Sequence, residues 1–432
     1  MLERYFGLAA QGTTVRTEVL AGFTTFLAMA YIAFVNPQIL AAAGMDPDGV
    51  FVATCLAAAF GSLLMGLLAN FPIALAPGMG INAYFAYVVV LGEGHRWQVA
   101  LGIVFVSGCL FLIVSLLPIR RWLVNSIPRS LKMAISAGIG FFLALIALEN
   151  AKVIVDDPAT LVRLGDIQSG PVVLMLAGFV AILVLEALKV RGAVLLGILV
   201  TAVAGIALGI SDFQGVFDLP PDPSPVLLQL DIAGALDAAV ITATFVFFML
   251  GLFDNTGTMI AVLHQAGMLD KNGHMPRIGR ALVADSVAIM AGAALGTSTT
   301  NSYIESAAGV RAGGRTGLTA VVVGLLFLLV LFLAPLATSI PVYATAPALL
   351  YVACLMARAI VELDWDDVTE YAPAVLTALV MPFTYSIANG IGVGFIVYAL
   401  GKLLTGRLGQ LHPVVVVVAA LFLVKFAFLS GG

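Results

Sequence analysis

Glu305 stands inside an apolar stretch, in Gly296-Thr-Ser-Thr-Thr-Asn-Ser-Tyr-Ile-Glu-Ser306. A carboxylate surrounded by hydrocarbon costs at least about 2.5 kcal/mol, so it is kept where it faces a cavity and accepts N–H groups or takes up a proton. The competing reading is a packing hydrogen bond to a neighbouring hydroxyl. Asp254, in Gly251-Leu-Phe-Asp-Asn-Thr-Gly-Thr258, is the second such acid, with polar capping at the end of a span as its alternative. Asn82 donates and accepts at once, which suits the edge of a heterocycle, although interhelical bonding competes. Thr300, Ser302 and Tyr303 belong to the polar run that leads to Glu305, and Phe26, Tyr84, Phe85 and Tyr303 offer faces for stacking on a flat solute. Aromatics in lipid-facing helices are otherwise filler or interfacial anchors. Asp285 is read as a structural partner within the bundle, and Glu149, Glu186 and Asp237 as solvated groups near span ends. The role of His264 stays open.

Two interrupted segments must position these groups. Ala76-Pro-Gly-Met-Gly-Ile-Asn-Ala-Tyr-Phe85 has a proline and two glycines where a helix should break and a new half-helix begin, leaving its first N–H groups free for a ligand. The run from Gly296 to Ser306 is too polar to face lipid and should be extended first and helical after. Two half-helix N-termini facing each other make a pocket for electron-rich solute groups.

The rest of the chain is read as membrane-embedded. Hydrophobic residues are 61% of 432 positions and charged residues 10%, too little polar surface for a soluble protein. At about 20 apolar residues per crossing, spans are expected near 17–36, 49–69, 72–91, 97–117, 130–149, 171–189, 193–210, 235–260, 279–297, 299–312, 316–337, 343–361, 372–404 and 413–429. The tenth is too short for one helix, and Pro382 with Asn389-Gly390 should divide the thirteenth into two shorter pieces. The fold class is therefore an all-α polytopic membrane protein of about fourteen segments.

With a cytoplasmic N-terminus, 15 of the 20 Lys and Arg residues fall inside, among them Arg120, Arg121, Arg129, Lys271, Arg358 and Lys425. Arg96, Lys152, Arg163, Lys402 and Arg407 fall outside, and both termini are placed in the cytoplasm. Ala43-Gly44-Met45 after the first span matches Ala266-Gly267-Met268 after the eighth, and Ile127-Pro128 before the fifth matches Ile340-Pro341 before the twelfth. Seven spans per half would turn the second half upside down, as in secondary transporters whose sites sit where broken helices meet. The division is 1–212, a Pro-rich linker at 213–231, and 232–432.

Other chemistries find little support. Cys55, Cys109 and Cys354 lie in apolar runs without metal or redox spacing, and no metal or cofactor site is expected. Gly78-Met79-Gly80 lacks the third glycine and the β-α-β setting of a dinucleotide fingerprint. No Walker A, HExxH or GxSxG motif occurs, which argues against an ATPase or an intramembrane enzyme. No nucleic-acid partner is indicated. Coupling to an ion gradient remains as the energy source, with Glu305 and Asp254 as the proton-coupling groups and Na⁺ as the alternative ion.

At these residues the chain resembles the azaguanine-like (AzgA-like) purine permeases, within the nucleobase:cation symporters and nucleobase-ascorbate transporters. The resemblance runs nearly end to end, through Gly12-Thr-Thr-Val-Arg-Thr-Glu-Val-Leu-Ala-Gly22, Ala76 to Tyr84, Pro276-Arg-Ile-Gly-Arg-Ala-Leu282 and Gly296 to Gly309. It implies two inverted seven-span repeats with a uracil-permease-like core (spans 1–4 and 8–11) and gate (5–7 and 12–14), and short strands in spans 3 and 10 beside the substrate. It implies proton symport of adenine, guanine or hypoxanthine across the inner membrane, with Asn82, Asp254 and Glu305 as binding residues and Gly80 allowing close approach. A homodimer through the gate domains is also implied. The sequence departs from that pattern at Gly251, where members carry a first acid, and at Asn255, where Thr is usual. Rival readings are a carrier of another solute, such as uracil, xanthine, urate or a small organic anion, and a channel or non-transporting sensor.

Overall fold

Backbone N–H and C=O groups in hydrocarbon find partners only within helices or closed pairings. In the computed structural model, which describes residues 2–117, 128–237, 240–269, 275–424 and 426–427, helices accordingly take up most of the chain. Arg120, Arg121, Lys271 and Lys425 of the charge count, and Ile127 of the repeat motif, lie outside the described residues.

The first half runs α1 (Val15–Ala41), α2 (Pro47–Ala69), β1 (Leu75–Pro77), α3 (Met79–Gly92) and α4 (Trp97–Leu116). It continues through α5 (Arg129–Asn150), β2 (Ile154–Asp157), β3 (Leu161–Leu164), α6 (Gly170–Ala187) and α7 (Ala193–Ala207). The second half runs α8 (Ile241–Gln265), α9 (Ile278–Leu295), β4 (Thr300–Ser302), α10 (Ser306–Arg311) and α11 (Gly317–Thr338). It ends with α12 (Val342–Glu362), α13 (Val368–Phe383), α14 (Ile387–Leu404) and α15 (Pro413–Val424). Among the described residues, 10 of these helices are long and apolar enough to cross a membrane, and α3, α7, α13 and α15 are shorter apolar helices.

The all-α reading needs a correction at one strand pair, beyond the short strands expected in spans 3 and 10. β1 and β4 pair antiparallel, in the two segments where the resemblance implies short strands, while β2 and β3 form a hairpin between the fifth and sixth expected spans. The Asp157 carboxylate shapes that hairpin's turn by accepting the N–H groups of Ala159 and Thr160. The Ala-Gly-Met pair has a physical counterpart. Gly44 and Gly267 both hold positive φ, 79° and 67°, and the following methionine N–H closes each helix on Leu40 and Leu263 respectively. This is the left-handed helix stop that glycine supplies without a Cβ clash.

The chain clusters into two compact units. The first comprises Met1–Leu117 and Asn150–Ala348, the second Pro118–Glu149 and Leu349–Gly432. Within the first, α9 packs on α4 and α2, and α11 on α1 and α2, around the β1–β4 pair; α6 and α7 fall in this unit. Close approach of α2 to α11 depends on Gly66 and Gly317, because a Cβ on Gly317 would enter the Gly66 carbonyl. Glu18 of α1, fully buried, accepts from the Arg315 N–H at 2.8 Å and the Thr319 hydroxyl at 2.6 Å, capping α11.

The second unit shows why the thirteenth span divides. Ser386 accepts the Asn389 N–H at 3.2 Å and starts a new helix, and Gly390 and Gly394 let α14 lie back against Thr377 of α13. The break therefore falls at residues 384–386 and forms a hairpin. This corrects the orientation of two cations. Arg129 pairs with Glu362 at 2.6 Å, the Ser130 hydroxyl donates to Glu370, and Lys402 Nζ lies 2.6 Å from Glu370, while Arg407 pairs with Asp367. Lys402 and Arg407 thus sit at the same end of this unit as Arg129, not at the opposite one. Counting 372–404 as one crossing had reversed them, and the same count underlay the cytoplasmic C-terminus.

Candidate functional site

Asn70 in the left-handed conformation (φ 53°) ends α2 and turns the chain back. Pro72 and Pro77 then favour extended backbone over 71–77. Leu75, Ala76 and Pro77 lie opposite Ser302, Asn301 and Thr300. The pairing is extended by Tyr303 N–H to the Ala74 carbonyl at 3.0 Å and Gly78 N–H to the Thr299 carbonyl at 2.9 Å. Gly78 is required for space, since a Cβ there would lie 2.8 Å from the Asn301 amide nitrogen. Each strand leads straight into a short helix, α3 from Met79 and α10 from Ser306, as the breaks in the sequence implied.

The two predicted acids reach this platform from different elements. Asp254, mid-way along α8, accepts the Asn301 amide at 3.2 Å and is otherwise exposed. Glu305 occupies the N-cap position of α10 without capping it, is half-buried, and accepts the Tyr31 hydroxyl at 3.2 Å. Ser302 is buried, its hydroxyl donating to Asp285 at 3.0 Å and its N–H to the Asn255 side-chain oxygen at 3.2 Å. Tyr303 lies across the start of α3, its hydroxyl donating to the Pro77 carbonyl and receiving the Met79 N–H. Thr300 is fully buried in β4.

Asn82 and Phe26 have other neighbours. The Asn82 amide donates to Asn36, which donates in turn to Thr54 at 2.8 Å and Thr297 at 2.9 Å, tying α3 to α1, α2 and the approach to β4. Phe26 is half-buried and packs edge-on against Phe327, with centroids 5.3 Å apart. Gly80 lies in the first turn of α3.

Buried polar groups are normally paired, yet Asp285 Oδ2, Asn301 Oδ1, Asn82 Oδ1, Asn255 Nδ2 and the hydroxyls of Ser298, Thr299 and Thr300 lack a protein partner among the described residues. They concentrate around β4. Ser298, Thr299, Thr300 and Asn301 lie in or just before that strand, and Asn255 and Asp285 bond Ser302, so both donors and acceptors are left open beside it. No cluster of three or more metal-ligating side chains occurs among the described residues.

Sequence reasoning missed Tyr31, Asn36, Asn255 and Asn301 as contributors and read Asp285 only as a bundle partner. Asn301 and Asn255 stood inside the motifs already singled out, and their amides were a usable signal. Tyr31 had none, being one aromatic in an apolar span.

The model of the Permease family matches residues 16–393. The adenine permease AdeP of Escherichia coli (strain K12) is 49% identical over 431 residues, covering 100% of this chain and 97% of that protein. The guanine/hypoxanthine permease PbuG of Bacillus subtilis (strain 168) is 43% identical, covering 99% and 100% respectively. Among solved structures, the transmembrane domain of the cyanobacterial bicarbonate transporter BicA superposes with a TM-score of 0.65 at 15% identity, covering 86% of this chain and 96% of that one. At that identity the likeness concerns the fold alone.

Proposed function

This chain belongs to the Permease family, and on that premise we propose that it is a membrane permease for purine nucleobases that works by proton symport and alternating access. The observation that carries the reading is the β1–β4 platform flanked by Asp254 and Glu305, which accept the neutral donors of Asn301 and Tyr31 respectively. A carboxylate so held keeps acceptor capacity. Glu305 and Asp254 accept the N–H groups of the heterocycle, and the first N–H groups of α10 and α3 address its ring nitrogens or oxygens. Thr300 and Ser302 shape the floor, Tyr303 and Gly80 the α3 side, and Phe26 an aromatic wall. Asn82 positions α3 through Asn36.

Coupling follows from the same acids. A carboxylate that must lose its water shell on closure binds a proton more readily, so solute and proton enter together on Glu305 or Asp254. Two inverted repeats of about fourteen segments, with α13 and α14 together in the place of one, supply the alternating movement as core and gate. The matched glycine stops at Gly44 and Gly267 and the antiparallel β1–β4 pair support that symmetry. Placement in the inner membrane with a cytoplasmic N-terminus is supported by the basic residues: with Lys402 and Arg407 moved to the side of Arg129, and Lys425 moved to the other side by the same recount, four of the 20, Arg96, Lys152, Arg163 and Lys425, are left outside. Pairing of two copies through the gate completes the proposal.

The test is uptake of labelled adenine, guanine, hypoxanthine and uracil in a permease-deficient strain, followed by proteoliposomes with an imposed pH or Na⁺ gradient. Accumulation of a purine driven by the pH gradient is expected. Uptake of no purine would overturn the substrate, and a Na⁺ requirement the coupling ion.

A further inference from the structure

We propose that Gly251 is a specificity-determining position: its missing side chain leaves room in the solute site for a methyl-sized substituent on the heterocycle. The inference rests on the purine reading above and goes beyond it. Successive helical residues are about 100° apart, so Gly251 projects between Asp254 and Asn255, one turn toward the start of α8. Those two side chains bond the Asn301 amide and the Ser302 N–H, so the face they share is the one turned to β4.

Glycine in a helix interior has two usual justifications, close packing and positive φ. Neither applies here. Gly251 is buried, it is absent from the positive-φ residues, and among the described residues a Cβ built on it would meet a single atom within 4 Å, Ile289 Cδ1 at 3.7 Å. The other glycines around the platform are crowded. A Cβ on Gly61 would lie 2.9 Å from Leu75, one on Gly78 would lie 2.8 Å from Asn301, and one on Gly292 would strike the Thr300 hydroxyl.

The position of the room follows from α9. Asp285 bonds Ser302 and Gly292 abuts Thr300, so Ile289, between them in sequence, runs alongside that stretch of β4. A ring seated between Asp254 and Glu305 can therefore direct one small group past β4 toward Gly251.

Competition against labelled adenine uptake by N6-methyladenine, 2-methyladenine and 8-methyladenine tests this in the wild type, Gly251→Ala and Gly251→Val. A methyl group that finds or loses its space changes discrimination by about 10- to 200-fold. At least one methylated purine should compete within about tenfold of adenine in the wild type, and its inhibition constant relative to adenine should rise at least about tenfold in Gly251→Ala and further in Gly251→Val. Because the added Cβ has room, purified Gly251→Ala should melt no lower than the wild type without solute. The proposal is overturned if the wild type rejects all three methylated purines, if the ratio stays constant across the variants, or if Gly251→Ala melts lower. A wild type that takes up no purine would instead sink the parent reading.

Discussion

Tyr31 donates its hydroxyl to Oε1 of Glu305 across 3.2 Å, joining the middle of α1 to the start of α10 over 274 positions of sequence. The bond sets the direction in which the carboxylate points. Tyr31→Phe removes a hydrogen bond to a charged group, a loss of about 1.5 kcal/mol or roughly tenfold in affinity. Glu305→Gln also removes the charge and one acceptor, with an expected loss of about 100-fold or more in ligand-induced thermal stabilisation constants. Equal effects from the two variants would mean that Tyr31 itself contacts the solute.

Asp254 and Asn301 form a second such pair, at 3.2 Å. Asn301→Asp would set two carboxylates side by side and should cost about 1–3 kcal/mol of stability. The exchange Asp254→Asn with Asn301→Asp restores one donor and one acceptor, so the double variant should recover most of that loss. A double-mutant cycle on melting free energies checks it, and a coupling near zero would show that the pair carries no energy.

Lys402 is fully buried with its ammonium 2.6 Å from Glu370 and 2.9 Å from the Gln410 side-chain oxygen. Lys402→Met leaves Glu370 without its cation, and removal of one partner from a buried pair costs about 3 kcal/mol. Unfolding of purified Lys402→Met in denaturant should show a loss of that order. A shift below about 1 kcal/mol would mean that water reaches the pair.

Asp367 accepts the hydroxyl and N–H of Thr369 and lies beside Lys402 and Arg407, which together hold its carboxyl at about 2, below the ordinary 3.8. A carboxyl depressed in the folded state contributes stability above its unfolded value and loses it as pH falls through the folded one. Melting temperature should therefore fall between about pH 4 and pH 2, the window set by those two values. Asp367→Asn should melt lower at neutral pH and show a shallower acid limb. Parallel acid limbs would assign the loss to other carboxylates.

Gly317→Ala places a methyl group into the Gly66 carbonyl, whereas Gly257→Ala meets nothing within 4 Å among the described residues. Overpacking at a close helix crossing costs about 3 kcal/mol or more. Yield of monodisperse protein in detergent should collapse for Gly317→Ala and hold for Gly257→Ala. Normal yield of the first would mean that α2 and α11 can separate without loss of the fold.

Much of the architecture was legible because its causes are local. Apolar runs of membrane length, a proline with two glycines at 77–80, and hydroxyls with a carboxylate at 296–306 each state a requirement that any fold must meet. Hydrogen-bond partners are different, since they are chosen across space. Nothing near Glu305 in the chain names Tyr31, nothing near Asn82 names Asn36, and neither acid alone says which amide of β4 it will hold. The return of α14 on α13 is likewise tertiary. Hydropathy sums over neighbours and sees one apolar stretch, but the Ser386 cap and the glycine contacts with Thr377 fold it double, and that decides on which side Lys402 and Arg407 lie. Even Gly251, a visible departure in the sequence, acquired meaning only when α8 and α9 showed that its side faces open space beside Ile289.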